Sequence, residues 1–141
     1  MTNSEKGKLG EEYVKNYLTQ QGYKISTSPD NGSDILAEKD NQKLSIEVKT
    51  TSNLTGGIPD MHITEFKLED TKWLFVADYL YIVRLNDEGL PTQLDILSKN
   101  DIDKYADSHK TVTRIRTTKL DTDLNNRRIG ESIDLNTGNS I

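Results

Sequence analysis

The stretch KDNQKLSIEVKTTS, from Lys39 to Ser52, constrains the fold more than any other part of the chain. Asp40, Asn41 and Gln42 are turn formers, and the residues after them alternate with a period of two, the signature of a β-strand. Leu44, Ile46 and Val48 then share one face, and Ser45, Glu47, Lys49 and Thr51 share the other. Upstream, SDILAEK begins at Asp34 and reads as the partner strand, so the two make a hairpin. A solvated strand face with a surface ion pair of little worth accounts for Glu47 and Lys49 equally well at this level.

The remaining elements follow from local signals. Ser4 is the predicted N-cap of a first helix, in which Tyr13, Val14, Tyr17 and Leu18 recur at helical spacing. Gly22 suits its C-terminal cap. Gly7 and Gly10 fall on the apolar stripe, where glycine costs about 1 kcal/mol relative to alanine, so close packing against another backbone is expected. Glu12 falls on the solvent side and Glu11 on the flank of the stripe. YKIST reads as a short strand. SNLTGGIPDM is a loop, and ITEFKLEDTKWLFVA reads as a second helix capped by Thr64, with Ile63 packing on Leu68. DYLYIVRL and QLDILS read as strands, SKNDIDKYA as a short helix, and KTVTRIRTTK as a basic strand. Tyr79, Tyr81 and Trp73 read as packing residues, and His62 as an ordinary loop histidine.

The predicted class is therefore α/β, with a mixed central sheet flanked by helices. Residues 1–120 form a single domain, with a core at about 5–85 and a β-α-β extension at 86–120. Residues 121–141 read as a polar, mobile C-terminal tail, because they show no sustained period. A chain of 141 residues suffices for one core. With no cysteine, disulfides and thiolate sites are excluded. No apolar run approaches the roughly 20 residues of a membrane span, and the first residues show no apolar signal core. A soluble, cytoplasmic protein with no membrane partner is the expectation.

A formal net charge of −5 argues against a protein that coats nucleic acid by general basicity. It leaves room for a local basic strip, and Lys110, Arg114 and Arg116 alternate onto one side of the basic strand without an acid between them. A solvated strand face explains them as well as phosphate contact does.

Three acid-x-Lys pairs occur: Glu47 with Lys49, Glu65 with Lys67, and Asp70 with Lys72. The last two fall in the predicted second helix, where residues two apart do not face each other. Only Glu47 and Lys49 share a strand face. In the hairpin, Asp34 and Glu47 can enter one cleft, which suits a hard divalent cation such as Mg²⁺, with Mn²⁺ as a substitute. Asp34 and Glu47 would be the carboxylate ligands and the carbonyl of Val48 a third. Lys49 would orient water and stabilise charge on a phosphate, with Glu11 reaching over from the first helix. Each of these residues also has an ordinary structural explanation.

GKLGEEYVKNYLTQQGY and NGSDILAEKDNQKLSIEVKTTS together resemble the PD-(D/E)XK, or restriction-endonuclease-like, nuclease superfamily. Within it, IEVKTT, HIT and YLYIVRL are similar to the C-terminal-type domain of the plant protein NO VEIN and its bacterial relatives. The resemblance spans roughly Glu5 to Leu85. It implies an αβββαβ core and a Mg²⁺-dependent nuclease acting on DNA, with RNA as the alternative substrate. Its catalytic set would be Glu11, Asp34, Glu47 and Lys49, with Thr51 a further phosphate contact. Ser33 stands where the superfamily usually has proline. Superfamily members often pair so that two sites cut two strands, which is compatible with a homodimer. The competing class is a non-catalytic nucleic-acid-binding or protein-interaction module that keeps the fold.

Overall fold

The computed structural model describes residues 2–27, 35–52, 66–69, 72–103 and 129–140. Helix α1 spans Asn3–Gln20. Its cap is Thr2 rather than the predicted Ser4. The Thr2 hydroxyl accepts from the Glu5 amide at 3.1 Å while the Glu5 carboxylate accepts from the Thr2 amide at 3.0 Å. This reciprocal box satisfies two end groups, which a cap at Ser4 would not do with the same glutamate. At the other end Tyr23 N donates to Leu18 O and Gly22 N to Thr19 O, both at 3.0 Å, with Gly22 at φ 94°. Those two bonds make a Schellman cap, and its left-handed residue is the glycine expected there.

Strands β1 (Lys24–Thr27), β2 (Ile35–Lys39) and β3 (Gln42–Thr51) form an antiparallel meander. Asp40 and Asn41, at φ 52° and 66°, make the two-residue turn between β2 and β3. Strands β4 (Phe66–Glu69) and β5 (Lys72–Phe75) pair as a separate two-stranded sheet. The second helix predicted at this place is thus corrected to a hairpin. Phe66 and Leu68 alternate with Lys67 and Glu69, and a run this short fits strand period as well as a helical face. Ile63 and Thr64, its supposed staple and cap, lie outside the described residues.

Strands β6 (Tyr79–Leu85), β7 (Pro91–Ser98) and β8 (Glu131–Asp134) complete a six-stranded sheet in the order β1-β2-β3-β6-β7-β8. All neighbours are antiparallel except β3 and β6, which are parallel. The short helix expected after β7 is present at residues 99–103. β8 lies within residues 121–141, the segment expected to be a polar tail. Ile133 is 6% exposed in the core and pairs with Leu94, burial that offsets the weak local preference of ESID. The basic strand predicted around Lys110 to Lys119 lies outside the described residues. Among those described, no helix is long and apolar enough to cross a membrane.

α1 covers one sheet face. Val14 and Leu18 pack into a cluster with Ile35, Ile46, Val48 and Val83. Tyr17 and Tyr79 both meet Tyr81 edge to face, at centroid separations of 6.4 and 6.3 Å, the packing role expected of Tyr79 and Tyr81. Burial, reinforced by the neighbouring tyrosines and Glu131, holds the Tyr81 phenol well above its usual range, so it stays neutral. Leu80, Ile82 and Leu97 alternate to the opposite face and are also buried. Gly10 is buried where α1 crosses β3, and a Cβ there would overlap Thr50 Oγ1. The close approach foreseen for Gly10 is real, though it is made to a side chain. A Cβ on Gly7 would meet nothing within 4 Å.

Gly10→Ala is expected to destabilise the protein by about 1–3 kcal/mol through overpacking, although alanine is the better helix former. Gly7→Ala, with open space above it, should instead stabilise it by up to about 1 kcal/mol. Urea unfolding midpoints of the two variants check the contrast, and Thr50→Ala should recover most of the loss in the Gly10→Ala background.

Candidate active site

Strand β3 takes its position from both sides. Toward β2 the ladder runs from Gln42 opposite Lys39 to Ile46 opposite Ile35. Toward β6 it runs from Ile46 opposite Tyr79 to Thr51 opposite Arg84. The parallel register is pinned just before it starts. Asp78 Oδ2 accepts from Ser45 N at 2.8 Å and Ser45 Oγ at 3.1 Å, while Asp78 N donates to Ser45 O at 2.9 Å. Among the described residues, β3 therefore has two neighbours up to Ile46 and only β6 from Glu47 onward.

Glu47 and Lys49 lie on the face opposite Ile46, Val48 and Thr50, as their alternation requires. Glu47 is 8% exposed and Lys49 half-buried. A carboxylate this far from water persists as an anion only beside cationic or donor groups. Glu11 is half-buried on α1, the residue after Gly10 and one turn on from Gly7. The contact of Gly10 with Thr50 thus brings this part of α1 over the end of β3. Glu12 points to solvent and pairs with Lys15 at 3.5 Å.

Asp34, the other carboxylate of the expected set, lies outside the described residues, as do His62, Lys110, Arg114 and Arg116. Among the described residues, no three of His, Cys, Asp and Glu gather to hold a metal ion. The donors of the expected set are nonetheless hard oxygens, the Glu47 carboxylate and the Val48 carbonyl, which match Mg²⁺ rather than a softer ion. Thr51 is only 6% exposed. The grounds for setting aside Glu65 and Lys67 also change, because Lys67 stands in strand β4 and not in a helix.

Sequence reasoning missed a buried polar strip beside the site strand. Arg84, the Cα partner of Thr51, is 1% exposed and donates from Nε to Asp95 Oδ2 at 2.7 Å. Asp95 is fully buried, and its Oδ1 accepts from Gln93 Nε2 at 2.8 Å and Ser132 Oγ at 2.7 Å. A signal was present: YIVRL and QLDILS each carry one charge inside an apolar strand, and the two charges are opposite.

These features define an α/β protein of restriction-endonuclease-like fold, with an acid-x-Lys pair on a central strand. The bacterial homing endonuclease I-Ssp6803I shares the fold, aligning over 84% of this chain and 82% of its own at a TM-score of 0.53 and 12% identity. No family model matches the chain. A UPF0102 protein of Clostridioides difficile is 33% identical over 101 residues, covering 69% of this chain and 86% of the relative. A UPF0102 protein of Dictyoglomus thermophilum is 34% identical over 102 residues, covering 70% and 84%. The chain belongs to the UPF0102 family.

Asp95→Ala is expected to destabilise the protein by about 3–5 kcal/mol, because it removes the carboxylate facing a buried guanidinium. Ser132→Ala, which removes one neutral donor, should cost about 1 kcal/mol. Denaturant unfolding checks both, and a loss below that of Ser132→Ala for Asp95→Ala would contradict the assignment.

Proposed function

We propose that this protein is a metal-dependent nuclease that hydrolyses DNA phosphodiester bonds by attack of water. The observation that carries the reading is the register of the β2–β3 hairpin. Ile35 and Ile46 are Cα partners in an antiparallel pair. Asp34 precedes Ile35 in the chain and Glu47 follows Ile46, so each acid is one peptide bond from that paired position. The shared fold with a homing endonuclease supports the reading at the level of architecture.

Asp34 and Glu47, with the Val48 carbonyl, would hold Mg²⁺ or Mn²⁺. The bound ion would supply Lewis-acid stabilisation of charge on the phosphate and a more acidic water. Lys49, on the face of Glu47, would orient the attacking water and stabilise the oxyanion that develops on phosphorus. Glu11 would hold a water at the α1 side of the cleft. DNA is the proposed partner, and one site per chain makes a homodimer the simplest way to cut both strands.

Incubation with supercoiled, linear, branched and single-stranded DNA should give cleavage in Mg²⁺ or Mn²⁺ and none in chelator. Asp34→Ala, Glu47→Ala and Lys49→Ala should each lower the rate by at least about 10²-fold. The divalent ion should raise the melting temperature of the wild type, since a ligand that binds only the folded state stabilises it, and should do so less for Asp34→Ala. Cleavage that survives Glu47→Ala and Lys49→Ala, or an unchanged melting temperature together with intact DNA, would overturn the reading.

A further inference from the structure

Beside the last turn of α1, on the sheet face that the helix covers, a cavity of about 260 Å³ opens among Tyr17, Tyr23, Tyr79, Tyr81, Lys39 and Glu131. Tyr17 and Tyr79 stand at 64° and 84° to the Tyr81 ring, so three rings wall the space at steep angles to one another. Core packing accounts for Tyr81, which is buried. Tyr17 and Tyr79 are half-buried and border the open cavity.

The two ends of the cavity are charged differently. At the β2 end the chain supplies its own cation. The Lys39 ammonium stands 5.3 Å from the centroid of the Tyr23 ring and donates to Gln21 O at 2.8 Å. At the β8 end stands a carboxylate. Glu131 is the Cα partner of Ile96, itself the partner of Tyr81, so acid and ring share one cross-sheet row. β8 lies four strand spacings from β2, about 19 Å at the backbone. Glu131 makes no ion pair among the described residues. Burial and then the Glu131 charge hold the Tyr17 phenol above its usual range, and the same charge acts on Tyr81, so its field reaches both rings. Ring faces and a carboxylate attract the same partner, a cation. Lys39 meets that demand at Tyr23, and no other cation lines the cavity.

We propose that Tyr17, Tyr79, Tyr81 and Glu131 form an aromatic cage for an alkylammonium head, carried by a free amine or by an alkylated lysine side chain. The alkyl groups of such a head bury apolar surface against the rings, while its charge faces the ring quadrupoles and the acid. The cage lies on the sheet face opposite Glu47 and Lys49, and it does not depend on the nuclease reading.

The test is a titration of the full chain at constant ionic strength, followed by NMR of the tyrosine rings. The probes are choline, a peptide bearing trimethyllysine, and the neutral carbon isostere of choline, in which a tert-butyl group replaces the trimethylammonium. Choline should shift the ring signals saturably and bind at least about 5-fold more tightly than its neutral isostere. Tyr79→Phe, which keeps a ring, should retain binding. Tyr79→Leu, which keeps only bulk, and Glu131→Gln should each weaken it by about 5-fold. Lys39→Gln, at the far end, should leave the choline affinity unchanged. Urea unfolding midpoints confirm that each variant is folded.

Equal binding of choline and its neutral isostere, ring signals that choline does not move, or wild-type affinity in both Tyr79→Leu and Glu131→Gln would each overturn the cage. Should Tyr79→Leu unfold the protein, the comparison of choline with its isostere on the wild type decides alone. A preference between choline and the peptide, in either direction, supports the cage and identifies which carrier of the head it takes.

Discussion

A guanidinium enclosed in the sheet sets the terms for the rest of the structure. Taking Arg84 out of water costs several kcal/mol unless a carboxylate meets it in good geometry. Asp95, on the neighbouring strand, meets it at 2.7 Å. The second Asp95 oxygen is filled from Gln93 on its own strand and from Ser132 on β8, so one carboxylate ties β6, β7 and β8 together. A slip of β6 by one residue would carry Arg84 away from Asp95 to the face packed against α1, among Val14, Ile46 and Val48. The register of half the sheet is thus set by a charge that has one acceptable position. Because β6 is also the parallel partner of β3, the same pair fixes the strand that bears Glu47 and Lys49.

The parallel pairing explains why the site candidates lie where they do. A parallel neighbour cannot be reached by a tight turn, and residues 52–78 make the crossing, with β4 and β5 formed within it as a sheet of their own. The clamp between Ser45 and Asp78 starts the parallel ladder, and the antiparallel ladder to β2 is described as far as the next residue, Ile46. Glu47 and Lys49 follow directly, on a strand held by β6 and approached by α1. A backbone held in a defined register is what a positioned carboxylate and ammonium require.

How much of this could be read in advance depends on the range of the cause. The hairpin of β2 and β3, the strand at Tyr79–Leu85 and the glycine cap of α1 follow from neighbours within a few residues, and they stand as expected. The common face of Glu47 and Lys49 was legible for the same reason, since alternation is local. β4 and β5 were misread because FKLE and KWLF are too short for either period to win. β8 was missed because ESID has little strand preference of its own and forms by burying Ile133 and bonding Ser132 to Asp95. The pairing of Arg84 with Asp95 lies between strands, so only the unusual placement of the charges could announce it. The superfamily likeness pointed to the fold. It also pointed to a NO VEIN-type domain, whereas the relatives described above are UPF0102 proteins.

The correction at β4 bears on why Glu47 and Lys49 form the candidate pair at all. Placing Glu65 and Lys67 in a helix set them aside on geometry, and that argument no longer applies to a residue in a strand. Position in the fold replaces it. β4 and β5 pair with each other in a two-stranded sheet of their own, in which Lys72 opens β5. β3 has a hairpin partner immediately preceded in sequence by Asp34, a parallel partner pinned by Asp78, and α1 brought close by a glycine that admits Thr50. A two-residue motif becomes a candidate site through what the fold sets beside it, and the copy on β3 is so supplied.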